Sequence, residues 1–379
     1  MQNRREWLKS MFALGATMPL AGVMAQNLWA SPVSNAERLH GIEPLLPNNI
    51  IRLGSNENPY GPSQKARKAI IDSISEGNRY AHGVARELRN FIAEKEGVSP
   101  DHVLIGSGSS ELLCLAGMTI GLEGGAVLSA YPTFRLLMDY AAKFNARWDQ
   151  VNLDDKMVHN LEAMASAVKP DTKMIFVVNP NNPTGTVLQP DKLKSFCIEM
   201  ARRATVFMDE AYIEFLEPAE RVTMVDLVKQ GHNVIVSRTF SKIYGLAGMR
   251  VGYIISTPEL VKKMGERQIW GNYNQAGLAA ARASYGDEEF MSFTRKKNAE
   301  ARAHLFQYLD SKKIPYGKSL ANVVLFPAPK DGKYILEQTE KKGFQIRIWD
   351  YDNKEWCRVS IGTLDEMKKF TRAFDEVIA

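Results

Sequence analysis

The chain has 379 residues, 45% of them hydrophobic and 24% charged, with a formal net charge of +5. That is enough apolar material for two domains or one large domain with a smaller lobe, and too small a charge, with no concentrated basic stripe, for a nucleic-acid binder. Cys114, Cys197 and Cys357 are far apart and the six histidines are scattered, so no zinc site, disulfide framework or catalytic metal is expected.

Residues 1–25 contain NRREWLKSMFALGATMPLAGVMA. Paired Arg4 and Arg5, then Lys9, precede an apolar stretch from Met11 to Val23 and small residues near Ala25. This is the layout of a secretory signal, too short in its apolar part to cross a bilayer comfortably. The arginine pair resembles a twin-arginine export signal. The resemblance implies a periplasmic or exported protein with no stable membrane anchoring once the signal is removed, and a cytoplasmic one if the signal is not functional. An amphipathic N-terminal helix is the other reading of the same residues.

Residues 26–62, with Pro32, Pro44 and Pro47, read as an N-terminal arm. From residue 63 to 260 the pattern is a large α/β domain. Helical stretches are expected over Ser63–Ser75, Val84–Lys95 and 109–120, the last opening on a serine cap. Short β-branched runs fall at VLIG (103–106), AVLSA (126–130), MIFVV (174–178), TVFMD (205–209), NVIVS (233–237) and VGYII (251–255). Alternation of this kind predicts a mostly parallel sheet flanked by helices. Residues 261–379 read as a smaller C-terminal α+β domain, with strands near Val323–Phe326 and Gln345–Ile348 and a last helix over Leu364–Val377.

In an open parallel sheet, ligands bind beyond the carboxyl ends of the strands, and four polar clusters follow the apolar runs there. GSGSSE (106–111) can cradle an anion on glycine backbone and a helix N-terminus, or be a plain strand-to-helix turn; it is not a nucleotide P-loop. NPNNPTG (179–185) is a rigid turn that offers amides. In MDEAY (208–212) a carboxylate at a buried strand end needs a partner, and a cationic ring nitrogen would suit Asp209; a helix cap is the alternative. SRTFSK places Lys242 after NVIVS, and a desolvated lysine is a usable nucleophile toward aldehydes. Thr239, Ser241 and Arg250 add donors for a phosphate dianion. Each cluster alone is ambiguous. Together they supply an anion cradle, an amide, a carboxylate and an amine.

These motifs resemble the fold-type I pyridoxal 5'-phosphate (PLP) enzymes, the class I/II aminotransferases, over residues 40–379. NENPYGP (56–62), NPNNPTG, DEAY, RTFSKIYGLAGMRVGY and RVSIGT (358–363) are similar, in this order, to the histidinol-phosphate aminotransferase branch. The resemblance implies Lys242 as the covalent anchor of PLP and Asp209 as partner of its ring nitrogen. It implies Tyr212 and Asn182 on the phenolic oxygen, Tyr131 stacked on the ring, and Ser109, Ser110, Thr239, Ser241 and Arg250 at the phosphate. Tyr80 is implied to reach the phosphate in the neighbouring subunit of a homodimer. Arg358 is implied to grip the substrate carboxylate, with Asn182, Tyr60 and Arg347 also on the substrate. Trp270, Asn272 and Tyr273 are candidates to shape the pocket. The implied reaction moves an amino group between an L-amino acid, or a histidinol-phosphate-like amine, and a 2-oxo acid such as 2-oxoglutarate. A decarboxylase or lyase of the same fold, and a non-catalytic PLP-binding module, are the competing readings. Ile348 and Trp349 stand where that branch has a proline-containing stretch, RYAHG departs from its tyrosine-proline form, and the second serine of GSGSSE replaces an acidic residue.

Overall fold

The computed structural model describes residues 50–379; the expected export signal and residues 26–49 of the arm lie outside them. β1 (Ile51–Arg52) leads into the helix Gln64–Ser73, which the Ser63 side chain caps by accepting from the Ala66 N–H. The helix His82–Glu96 follows. Then come β2 (Val103–Gly106), β3 (Ala126–Tyr131), β4 (Arg147–Asn152), β5 (Thr172–Val178), β6 (Thr205–Asp209), β7 (Val234–Thr239) and β8 (Gly252–Ile255).

These seven strands form one sheet in the order β2-β8-β7-β6-β5-β3-β4. β3 to β7 run parallel, and β8 is antiparallel to both β2 and β7. The apolar runs are continuous because both faces of the sheet are covered. Val206, Met208, Val234 and Val236 face one core, and Phe207, Ile235 and Ile254 face the other, beneath the helix Gly108–Glu123. β4 was not expected from its sequence. RWDQVN is a half-exposed edge strand that carries no apolar run. The serine cap expected on the helix Gly108–Glu123 does not form; Ser107 stands at the cap position, and its N–H donates to Glu111 Oε2 at 2.6 Å.

A second sheet, β11-β12-β9, is antiparallel: β9 (Val323–Pro327), β11 (Arg347–Tyr351) and β12 (Lys354–Ser360). The short β10 (Phe344–Gln345) pairs with β1. Its core includes Phe326, Val359, Phe370 and Phe374 and is closed by the long helix Glu288–Ser311 and the last helix, Leu364–Ile378. The last helix starts on a full capping box between Thr363 and Glu366. The change of core does not coincide with the domain boundary expected near residue 260. The helix Gln275–Ser284 still contributes Leu278, Ala280 and Ala281 to the core of the large sheet. No helix among the described residues is long and apolar enough to cross a membrane. Among those residues no cluster of His, Cys, Asp and Glu could hold a metal ion.

Candidate active site

Asp209 ends β6 and is paired with Ser237 on the parallel β7. The side chains of a strand alternate between faces, so Asp209 and Thr239 share the face that packs beneath the helix Gly108–Glu123. Asp209 is 3% exposed. Burial pushes its carboxyl up to about 7; the Ala211 N–H, donating at 3.1 Å, and Lys242 act against that shift, and Glu210 adds to it. A buried carboxyl held there is poised to take a cationic partner, which would bring it back to the ionised form.

Lys242 lies three residues beyond the end of β7. The loop between them is shaped by its own hydroxyls. The Ser241 N–H donates to Thr239 Oγ1 at 3.1 Å, and the Thr239 hydroxyl donates to Ser241 Oγ at 2.9 Å. Lys242 Nζ donates to the Ser55 carbonyl at 3.2 Å and stands 5.6 Å from the centre of the Tyr212 ring. The Tyr212 hydroxyl accepts from Asn56 Nδ2 at 2.9 Å. Asn56 is buried and tied to β12, its N–H donating to Ser360 Oγ at 2.8 Å. One chain of hydrogen bonds therefore joins the large sheet to the small one across the site.

The anion cradle is built at the start of the helix Gly108–Glu123, whose first N–H groups have no partner within the helix. Arg250, in the left-handed region at φ 54°, brings Nη2 to within 3.4 Å of Ser110 Oγ and Nη1 to within 3.4 Å of Ser241 Oγ. Two glycines make this approach possible. A Cβ on Gly108 would sit 2.3 Å from Arg250 Nη2, and one on Gly252 would sit 2.3 Å from the Ser109 nitrogen. Ser109, Ser110, Thr239, Ser241 and Arg250 thus all line the cavity. That donor set fits a phosphate dianion.

The opposite wall comes from the small sheet. Arg358 on β12 and Arg347 on β11 are cross-strand partners, and both line the cavity. Arg358 is 4% exposed. Its Nη1 donates to Asn182 Oδ1 at 3.1 Å, its Nη2 donates to the Gly54 carbonyl, and its guanidinium lies 5.8 Å from the Trp349 ring centre. Its buried Nε has no partner among the described residues. Burial lowers its pKa to about 10; Tyr212 opposes that shift and Arg347 reinforces it. Two cations forced together at a cavity wall favour an anion between or beside them.

The cavity has a volume of about 290 Å³, near the lower end of the roughly 300–1,000 Å³ usual for small-molecule sites. Ser109, Ser110, Asn182, Asp209, Tyr212, Thr239, Ser241, Lys242, Arg250, Arg347 and Arg358 all line it. Three of the expected residues do not. Tyr131 packs edge-on against Trp148 and Tyr351, and its hydroxyl donates to the Asp350 carbonyl at 3.1 Å. The aromatic residue that lines the cavity here is Phe134, three residues after the end of β3. Tyr60 is drawn off by a turn in which its N–H donates to Asn58 Oδ1 at 3.0 Å, and its ring meets Phe293. Tyr80 is 78% exposed, beside His82 and Trp270, in a surface patch outside this cavity. Trp270, Asn272 and Tyr273 do not line it either; Trp270 and Tyr273 line a separate hollow with His82. Ser55, Asn56 and Glu57 do line the cavity, although sequence reasoning gave them no role. The available signal was NENPYGP itself, whose leading asparagine is buried and polar.

The amine of Lys242, the buried Asp209 carboxyl and the anion cradle are a donor set that fits pyridoxal 5'-phosphate. The family model for aminotransferase class I and II matches residues 48–374, and the chain belongs to that family. It is 32% identical over 348 residues to histidinol-phosphate aminotransferase 2 of Haemophilus influenzae, covering 92% of this chain and 93% of that one. It is 34% identical to histidinol-phosphate aminotransferase 2 of Ralstonia nicotianae, with 94% and 95% covered. The solved structure of histidinol-phosphate aminotransferase from Sinorhizobium meliloti, in complex with pyridoxal-5'-phosphate, superposes with a TM-score of 0.80 at 25% identity, covering 92% of this chain and 99% of that one. The protein is a PLP-dependent aminotransferase of fold type I.

Proposed function

We propose that the enzyme moves an amino group from an L-amino acid, or a histidinol-phosphate-like amine, to a 2-oxo acid such as 2-oxoglutarate. The observation that carries this reading is the pair Arg347 and Arg358, set across the cavity from the cofactor groups. Arg358, buried and anchored on Asn182, is built to take a carboxylate or an equivalent anion. Arg347 beside it offers a second cation for a further anionic group, carboxylate or phosphate. The names of the relatives support a phosphorylated amine as one substrate.

Bound PLP supplies an electron sink for charge that develops at the substrate Cα. Asp209 would hold the ring nitrogen, Tyr212 and Asn182 the phenolic oxygen, and Phe134 the ring itself. Ser109, Ser110, Thr239, Ser241 and Arg250 would bind the phosphate. Lys242 would anchor the cofactor, and its free Nζ would take the Cα proton as a base and return it as an acid. Arg358 would fix which Cα bond faces the ring, and that choice would decide between proton loss and decarboxylation.

The exposed cluster of Tyr80, Trp270 and Ile269 supports a homodimer in which Tyr80 reaches the partner's cofactor phosphate. Light scattering that gives a monomer at working concentration would remove this part. The arginine pair at residues 4 and 5 supports export of the folded chain. Export of a fusion carrying residues 1–25 should stop when both arginines become lysine. A grid of amine donors against 2-oxo acids, read by product analysis, tests the substrates. Turnover is expected with a donor bearing a second anion, and carbon dioxide release in place of amine transfer would overturn the assignment.

A further inference from the structure

Glu210 of MDEAY and Arg238 of SRTFSK are charged residues of the site motifs that do not line the cavity. They are bound to each other. Because Asp209 and Ser237 are in register, Glu210 and Arg238 come next on adjacent strand ends, and both turn to the sheet face away from the cavity. Arg238 Nε donates to Glu210 Oε2 at 3.0 Å, its Nη1 donates to Glu96 Oε1 at 2.7 Å, and its Nη2 donates to Thr223 Oγ1 at 2.8 Å. Glu210 also accepts from the Met224 N–H at 2.8 Å and the Thr223 hydroxyl at 2.9 Å. Glu96, the last residue of the helix His82–Glu96, accepts from the Tyr285 hydroxyl. Glu210 and Arg238 have side chains only 2% and 11% exposed.

A buried ion triad of this kind is a weak source of net stability, since apolar side chains of similar volume often serve as well or better. What it supplies is fixed geometry. The planar guanidinium has its fork set by two carboxylates and a hydroxyl, so it can occupy essentially one orientation. It is fastened one residue beyond Asp209 on β6 and four residues before Lys242 on β7. We propose that Arg238 is a positioning residue that clamps the exits of β6 and β7 through Glu210 and Glu96, and so sets Asp209 relative to Lys242. The proposal rests on the reading of the cavity as the PLP site.

The test uses the full-length holoenzyme with Arg238→Met and Arg238→Lys. Three quantities are read: the rate of PLP loss on dilution, the thermal unfolding midpoint, and kcat and KM for the best donor. Reacting groups displaced by about 1 Å can lose on the order of 100-fold in rate. Arg238→Met is therefore expected to lower kcat by about 30- to 100-fold and speed PLP loss at least about tenfold, with KM within about threefold. Arg238→Lys keeps the charge without the fork and should fall between wild type and Arg238→Met on both readouts. An Arg238→Met enzyme that loses thermal stability but keeps kcat and PLP retention within about twofold overturns the proposal. If Arg238→Met fails to fold, the near-isosteric Glu96→Gln takes its place. It removes one carboxylate partner of the guanidinium, and unchanged PLP retention in that variant overturns the proposal equally. Wild-type protein is the control for the cavity itself: if it retains no PLP, the reading of the cavity falls and the proposal with it, whereas retention lost only in the variants supports the clamp.

Discussion

The carboxyl edge of the seven-stranded sheet and the β11–β12 hairpin meet across one cavity, yet their sequences say different amounts about it. At the sheet edge each residue type follows from chemistry that cannot be done otherwise: an amine, a carboxyl, and donors around a phosphate. Those residues sit at strand ends a few positions from an apolar run. On the hairpin, Arg347 and Arg358 are paired across two strands, and neither has a meaning until the hairpin is folded against Gly54 and Asn182. On the proposed roles, the cofactor half is set by local order along the chain, and the substrate half by tertiary approach.

Substitutions on the two sides should fail differently. Lys242→Ala would remove the group proposed as both anchor and proton carrier; a loss of kcat of at least about 1,000-fold is expected, with loss of the covalent cofactor absorbance. Turnover within about tenfold of wild type would break the comparison at its stronger side. Arg358→Ala leaves Asn182 Oδ1 and the Gly54 carbonyl without their cation. It should lower kcat/KM by about 100-fold, with kcat falling as KM rises, because the lost contact orients as well as binds. Arg347→Ala should act on KM alone, by about 10- to 30-fold, and only for donors that carry a second anionic group. An equal effect on all donors would show that the two arginines are not divided as described. Phe134→Ala should speed PLP release several-fold, and Tyr131→Phe should not; the reverse outcome would restore Tyr131 as the ring contact.

The subtlest expected effect is on pH. Asp209 has its carboxyl raised to about 7, above the ordinary value of 3.8. The folded cofactor-free enzyme then holds a proton that the unfolded chain releases, so stability falls as pH rises from about 4 to about 7. Asp209→Asn should flatten part of that slope in urea unfolding of the cofactor-free protein. Only part is lost, because burial raises Glu210 and Glu214 as well. An unchanged slope would mean that Asp209 is ionised without its partner.

Much of the large sheet could be read from short β-branched runs, and each of the four polar clusters contributes residues to the cavity. The misplacements share a cause. Tyr131 ends β3 and Phe134 follows three residues later, and nothing in YPTF says which of the two lines the cavity; Tyr131 is held by contacts with Trp148 and Tyr351. Tyr60 is turned away by an asparagine two residues earlier. β4 was hidden because an edge strand with two half-exposed faces needs no apolar run. Glu210 and Arg238 stood in view within the motifs, but their pairing depends on the register of β6 and β7, which periodicity does not report.

The most direct measurement is a half-reaction. Purified PLP-loaded enzyme is mixed with a donor amine and no acceptor, and the products are counted per subunit. One carbonyl product and one amine-form cofactor per subunit, without carbon dioxide, are expected, followed by return of the aldehyde form when a 2-oxo acid is added. Carbon dioxide release with the aldehyde form retained would contradict the account.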